Sequence, residues 1–140
     1  QKDTDKNDVA AEDMYSVGTV AEIKQVTNLP GGAVRVVAEG QRAVKVKAFT
    51  LTDCFYAECA ERKTVHGDPV IEEAYLRSAR ALVADVLISE GKLNKETVAK
   101  LDLTADADEY VNAVVNAMRV RLAVKQRILD ETDAVERLKL

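Results

Sequence analysis

Val17-Gly18-Thr19-Val20-Ala21-Glu22-Ile23, then Leu29-Pro30-Gly31-Gly32, then Val34-Arg35-Val36-Val37, then Glu39-Gly40-Gln41-Arg42-Ala43-Val44-Lys45-Val46: these runs decide the fold. β-Branched and small residues alternate with polar ones in the flanking runs, the period-2 pattern of half-buried strands, so three strands are expected between Val17 and Ala48. Pro30 pre-sets φ for the first central position of a turn, and Gly31 tolerates the positive φ that a type II turn requires at the second. The first two strands are therefore expected to pair antiparallel, and a meander to follow. In the first strand Val17, Thr19, Ala21 and Ile23 form the expected inward face; in the third run Val44, Val46 and Ala48 share one face and Lys45 and Lys47 the other.

Outward from this stretch, the chain divides by period. Gln1 to Asp8 are charged and without apolar periodicity, a solvated leader. Asp8 is a candidate cap for a short helix over Val9 to Met14. A further strand is expected from Phe55 to Ala60. The change to helical spacing comes at Asp68-Pro69, where Asp68 can accept from free amides and Pro69 suits the first helical position. Ile71, Tyr75, Ser78, Leu82 and Val86 then recur at helical spacing, with Ala79, Val83 and Leu87 beside them and Arg77, Arg80 and Asp85 facing elsewhere; Gly91 is the expected stop. Asn94 opens a second short helix. Asp106 with Glu109 opens a third, with a stripe of Val111, Val114, Val115, Met118 and Leu122. A single helix from Ala107 to Glu131 would run roughly 37 Å, so a break is expected near Arg119 to Arg121. Asp133 with Glu136 starts a last short helix. Strands before helices make the chain α+β.

The opening runs also carry a family resemblance. Val17-Gly18-Thr19-Val20-Ala21 with Ile23, Leu29-Pro30-x-Gly32, and Val34-Arg35-Val36-x-x-Glu39-Gly40 followed by Gln41-Arg42 resemble the amino-terminal domain of the ATP-dependent protease Lon. Gln1-Lys2-Asp3 and Tyr15 upstream fit the same family. Phe55-Tyr56-Ala57-Glu58, Lys125-Gln126-x-Ile128-Leu129 and Arg137-Leu138 extend the likeness over essentially the whole chain. One departure stands out: the family usually has a leucine between the glycine and Gln-Arg, whereas Gly40 runs directly into Gln41. A one-residue change flips every later side chain unless a bulge or loop absorbs it.

The resemblance implies a partial, PUA-like antiparallel β pseudobarrel over residues 1–65 followed by a helical bundle over 66–140. It further implies strand-forming sequence before the position matching Gln1, hence an open sheet edge and self-association. The implied function is non-catalytic: recognition of unfolded or damaged protein substrates, and support of ring assembly, for an ATP-dependent serine protease of the bacterial cytoplasm. ATP and magnesium belong to that parent's ATPase module, and no cofactor is expected in these residues. The alternative is a stand-alone Lon-like module that binds peptides or small molecules without a protease. An RNA-binding PUA-like domain is a third reading by fold analogy alone.

Composition bounds these readings. The 140 residues are enough for one domain or two small subdomains, and 20 basic against 24 acidic residues give a net charge of −4, which disfavours a nucleic-acid or anionic-membrane surface. No apolar run approaches the roughly 20 residues that span a bilayer, and the polar start is no signal peptide. The missing initiator Met points to a trimmed fragment. Two cysteines make no disulfide framework.

Candidate chemistry is sparse. Cys54 and Cys59 near His66 invite a zinc reading, but on one strand their odd separation puts them on opposite faces, roughly 16 Å apart along the chain, so they read as structural cysteines, buried or half-buried. His66, the only histidine, lies on a loop with no nucleophile elbow or identifiable orienting partner. Asp106, Asp108 and Glu109 read as capping residues rather than a carboxylate pair. Gly31-Gly32 lacks the Lys-Ser/Thr of a phosphate loop. Arg119, Arg121, Lys125 and Arg127 have no interleaved aromatic residue and are interrupted by Asp130, Glu131 and Asp133, which fits a solvated helix face. No catalytic or metal-binding residue is assigned. Phe49 and Phe55 read mainly as core; Leu29 and Pro30 at the hairpin tip and Tyr56 are the candidate contacts for unfolded polypeptide.

Overall fold

The computed structural model describes the chain except for Thr4, residues 90–94, Ala105 and Arg119, and for Leu87, Ile88, Lys95, Thr97 and Asp102 it describes the backbone alone. The expected helix stop at Gly91, helix start at Asn94, and the positions of Arg119 and the Leu87 side chain lie outside the described residues. Two compact units divide the chain, Gln1–Lys63 and Thr64–Leu140.

The first unit is an antiparallel meander. Among the described residues its sheet has three strands in the order β1 (Val17–Asn28), β2 (Val34–Leu51) and β3 (Phe55–Glu61). The second and third expected strands are one continuous strand, because nothing in Ala38-Glu39-Gly40 forces a turn. The β1–β2 connection is the turn Pro30–Gly32, closed by the Leu29 amide donating to the Ala33 carbonyl at 2.8 Å. Gly31 sits at φ 84°, ψ 11°, the conformation of the second central position of a type II turn.

Three register shifts shape this sheet. Gln41 bulges between Gly40, opposite Ala21, and Arg42, opposite Val20. That bulge sits at the point where a leucine is missing relative to the Lon pattern. Lys24 bulges between Ile23, opposite Ala38, and Gln25, opposite Val37. Lys47 bulges between Val46, opposite Cys59, and Ala48, opposite Glu58. Since paired residues share a face, each bulge reverses the alternation beyond it. Val46 and Ala48, expected on one face, therefore stand on opposite faces. Ile23 and Val26, three apart, stand together with Val34, Val36 and Ala38. Glu22 and Glu39 lie directly opposite, a repulsive pairing, and the bulge brings the Lys24 ammonium to 2.6 Å and 2.9 Å from their carboxylates.

Val17, Thr19, Ala21 and Ile23 do share a face, as their spacing predicts, but it is not a buried one: Ile23 is 63% exposed. In this unit Val44 is the buried hydrophobic residue, at the centre of β2 between Gly18 and Glu61. Before β1, the expected helix over Val9 to Met14 is a single 3-10 turn, Ala11–Asp13. Asp8 does not cap it; the Asp13 carboxylate accepts from the Ala10 amide at 2.8 Å, and the Lys2 amide donates to the Asp13 carbonyl at 2.7 Å. So short a segment has too few residues to repay helix nucleation.

The second unit is helical: α1 (Pro69–Ser89), α2 (Lys95–Asp102), α3 (Ala107–Ala117), α4 (Leu122–Asp130) and α5 (Ala134–Lys139) among the described residues. The aspartate caps stand where the sequence puts them. Asp68 accepts from the Val70 amide at 2.8 Å, Asp106 from Glu109 at 3.0 Å, and Asp133 from Val135 and Glu136 at 2.9 and 3.0 Å. The expected break falls between Ala117 and Leu122, with Arg121 extended at φ −65°, ψ 149°.

The core-facing side of α1 differs from the expected stripe. Leu76 is 2% exposed and packs with Leu101, Tyr110 and Val114, with Ala79 and Val83 against them, whereas Leu82 is 65% exposed and Ile71, Tyr75 and Val86 are exposed as well. Two apolar rows are written on α1, and spacing alone does not rank them. Arg80, expected to face elsewhere, belongs to the inner row: its guanidinium donates to the Thr104 carbonyl and lies 5.6 Å from the Tyr110 ring centroid.

Candidate functional site

The candidate contact residues do not form one compact site. Leu29 is half-buried and Pro30 exposed at the β1–β2 turn, while Tyr56 is exposed in β3 opposite Thr50. Following the pairings and bulges, Tyr56 and the hairpin apolar residues stand on the same face. Val34 to Thr50 nevertheless spans roughly 50 Å of strand, so the turn and Tyr56 occupy opposite ends of β2. Phe49 and Phe55 meet edge to face with centroids 6.3 Å apart and are half-buried, in keeping with a packing role.

What surrounds the turn is more informative. Ile23 and Val26 of β1 and Val34 and Val36 of β2 are all exposed on one face, next to Leu29 and Pro30. Exposed apolar residues contiguous in this way mark contact surfaces more often than isolated ones do. Ile23 and Val26 escaped the sequence reading because alternation signals two faces without saying which is covered. The count of strands was the available signal: a sheet of three narrow strands with β-branched residues on both faces has more apolar surface than it can cover.

The remaining candidates resolve individually. His66 is half exposed, and its Nδ1 lies 3.1 Å from both carboxylate oxygens of Glu72, one turn into α1. The Glu72 carboxylate, aided by Asp106 and Asp108, holds the imidazole pKa above its ordinary value. This pair forms one wall of a shallow cleft of about 230 Å³ lined also by Gly67, Pro69, Glu73 and Leu76. The orienting partner that the sequence did not identify is thus Glu72. Cys54 and Cys59 are both free and exposed, which corrects the expectation of burial; Cys54 lies in the β2–β3 turn, not in a strand. Among the described residues no three His, Cys, Asp or Glu side chains converge as a metal site would need. Arg121 and Arg127 are exposed and Lys125 is half-buried.

Asp108 is not a capping residue. Its carboxylate is the counter-ion of Arg137, which is 3% exposed, and it also accepts from the Thr64 hydroxyl. Arg137 completes its donors on the Asn112 side-chain oxygen at 2.9 Å and the Ile128 carbonyl at 3.1 Å. Beside it Val65 exchanges backbone bonds with Thr132 and Ala134 at 2.8 and 3.0 Å. A buried guanidinium with a partner on each of its three nitrogens is structural chemistry, invisible to a reading that has only Arg137-Leu138 in a row.

The family model described as the substrate-binding domain of ATP-dependent protease La (LON) matches residues 1–140. Lon protease of Vibrio parahaemolyticus is 32% identical over 138 residues, covering 99% of this chain and 18% of that protein. Lon protease of Clostridioides difficile is 27% identical over 146 residues, covering 100% and 19%. The chain thus spans under a fifth of the length of these relatives. The solved amino-terminal domain of Lon protease from the Mycobacterium avium complex superposes with a TM-score of 0.74 at 24% identity, over 93% of this chain and 70% of that one. A Lon amino-terminal domain protein from Xanthomonas campestris gives 0.56 at 14% identity, over 94% and 69%. On the match of its full length, the chain belongs to the family of the ATP-dependent protease La (LON) substrate-binding domain.

Proposed function

We propose that this domain captures unfolded or damaged polypeptide for an ATP-dependent, Lon-type serine protease of the bacterial cytoplasm, and helps hold that enzyme's subunits together. One observation carries the reading: the exposed apolar row Ile23, Val26, Val34 and Val36 beside Leu29 and Pro30. Such a surface meets side chains that a folded protein keeps inside, without demanding a sequence. Each contact is weak, and several copies in one assembly raise the effective concentration of a captured segment. Tyr56, on β3 beside the far end of β2, supplies a second foothold for a long extended chain. ATP and magnesium would act in a separate ATPase module of the parent; these residues hold no Walker A pattern. Among the described residues no helix is long and apolar enough to cross a membrane.

The test is binding of a fluorescent, reduced and carboxymethylated protein to the 140-residue chain, followed by anisotropy. Ile23→Ser with Val36→Ser is expected to weaken binding about tenfold, and Leu29→Ser or Tyr56→Ser severalfold, with helical circular dichroism unchanged. In a protein that carries the ATPase module, the same changes slow degradation of the unfolded probe and leave ATP hydrolysis alone. Unaltered binding in the double variant rejects this surface.

A further inference from the structure

We infer that the cleft beside His66 holds a basic side chain of an extended polypeptide, arginine before lysine, and so gives the helical unit its own point of capture. The cleft measures about 230 Å³ and is lined by His66, Gly67, Pro69, Glu72, Glu73 and Leu76. Pockets for whole small molecules start at roughly 300 Å³, so this one has room for a single side chain. Its walls are of two kinds. Pro69 and Leu76 are apolar and suit a methylene stem, while Glu72 and Glu73 bring carboxylates to the cationic end. The inference rests on the reading that the domain meets unfolded polypeptide, and adds which side chains of that polypeptide it selects.

Glu72 is withdrawn from water for a carboxylate: its side chain is 16% exposed, and its hydrogen-bond partner is the half-exposed ring of His66. The positive end of α1 accounts for acidic residues in this turn, but a carboxylate serving the dipole alone gains nothing by leaving solvent. The Val70 amide already donates to the Asp68 carboxylate at 2.8 Å and the Glu72 amide to the Asp68 carbonyl at 3.0 Å, so Asp68, not a guest, caps the helix. Glu73 shows the expected chemistry on its outer side. Its Oε1 accepts from Arg77 Nε at 2.9 Å, and its Oε2 has no partner among the described residues. Facing His66 are Glu72 of α1 and, from the start of α3, Asp106 and Asp108, the last offset by Arg137. This excess of carboxylates repels an acidic segment and attracts a basic one. Arginine is favoured over lysine because its planar fork spans both oxygens of one carboxylate. A guest cation and a proton on His66 compete for Glu72. Bound arginine therefore lowers the His66 midpoint, and binding weakens as pH falls through it.

Short peptides blocked at both ends, with arginine, lysine or citrulline at the centre, test this when titrated into the whole chain at about pH 8 and followed by NMR of the His66 ring and the Gly67 amide. The arginine peptide is expected to saturate with a midpoint of about 1 mM, the lysine peptide severalfold higher, and the neutral citrulline peptide to leave both signals in place. Glu72→Gln is expected to weaken arginine binding about tenfold. Circular dichroism checks its fold, and Glu73→Gln, an exposed change expected to weaken binding severalfold, serves if Glu72→Gln does not fold. His66→Gln keeps a neutral donor beside Glu72, so it is expected to bind the arginine peptide and to lose the pH dependence. Citrulline shifts equal to those of arginine, no saturable shift up to about 10 mM arginine peptide, or undiminished binding by Glu72→Gln overturns the inference. Carboxymethylated protein that binds while the arginine peptide does not rejects this cleft alone; the reverse rejects the hairpin surface alone.

Discussion

The β unit and the helical unit spend a similar number of residues in opposite ways. In the helical unit, Leu76, Leu101, Tyr110 and Val114 converge, and a buried arginine satisfies itself on three partners. In the β unit, regular hydrogen-bonded strands leave most of their valines and Ile23 in solvent. Backbone pairing is therefore no proxy for a core: one half is held by side chains, the other by its ladder. Apolar side chains that stabilise nothing locally remain available for contact with something else.

Several measurements would break or sharpen that contrast. Asp108→Ala leaves the buried Arg137 guanidinium without its counter-ion and is expected to cost about 3–5 kcal/mol of helical-unit stability in urea unfolding followed by circular dichroism. A loss near zero would mean that this network does not hold the unit. Leu76→Ala should cost about 2–5 kcal/mol, whereas Ile23→Ala should fall within about 0.5 kcal/mol of no change, because its side chain is already solvated. Equal losses at the two positions would erase the distinction between the halves.

The smallest effect concerns the only histidine. Its pKa is raised by Glu72 above 6.5 in the folded chain. Stability from this pair is thus fully present below pH 6.5 and is lost as pH rises through the raised value. Half exposure keeps the effect slight. An NMR titration of His66 should show the midpoint falling back toward 6.5 in Glu72→Gln; an unmoved midpoint assigns the shift to another group.

Local chemistry was legible in the sequence, and partnership was not. Asp68, Asp106 and Asp133 announced helix starts because a cap acts on amides two or three residues away. Gly31 announced the turn, while the residue missing after Gly40 left a flip of faces, a bulge or a loop open, and the structure has a bulge at Gln41. The choice between the rows of Leu76 and Leu82 needed the partner helices, since both repeat correctly around α1. Asp108 looked like a cap until Arg137, 29 residues on, came to meet it. The hairpin surface failed for the same reason in reverse: Ile23 sits where a core residue would, and nothing nearby says that its face stays open.

The stitch between Val65 and Asp133 runs parallel. Tension applied to the segment before Thr64 and to the carboxyl end pulls these two short segments past one another lengthwise, so their backbone bonds must rupture together instead of unzipping one by one. The helical unit is thereby fastened where a pulling force would enter and leave it.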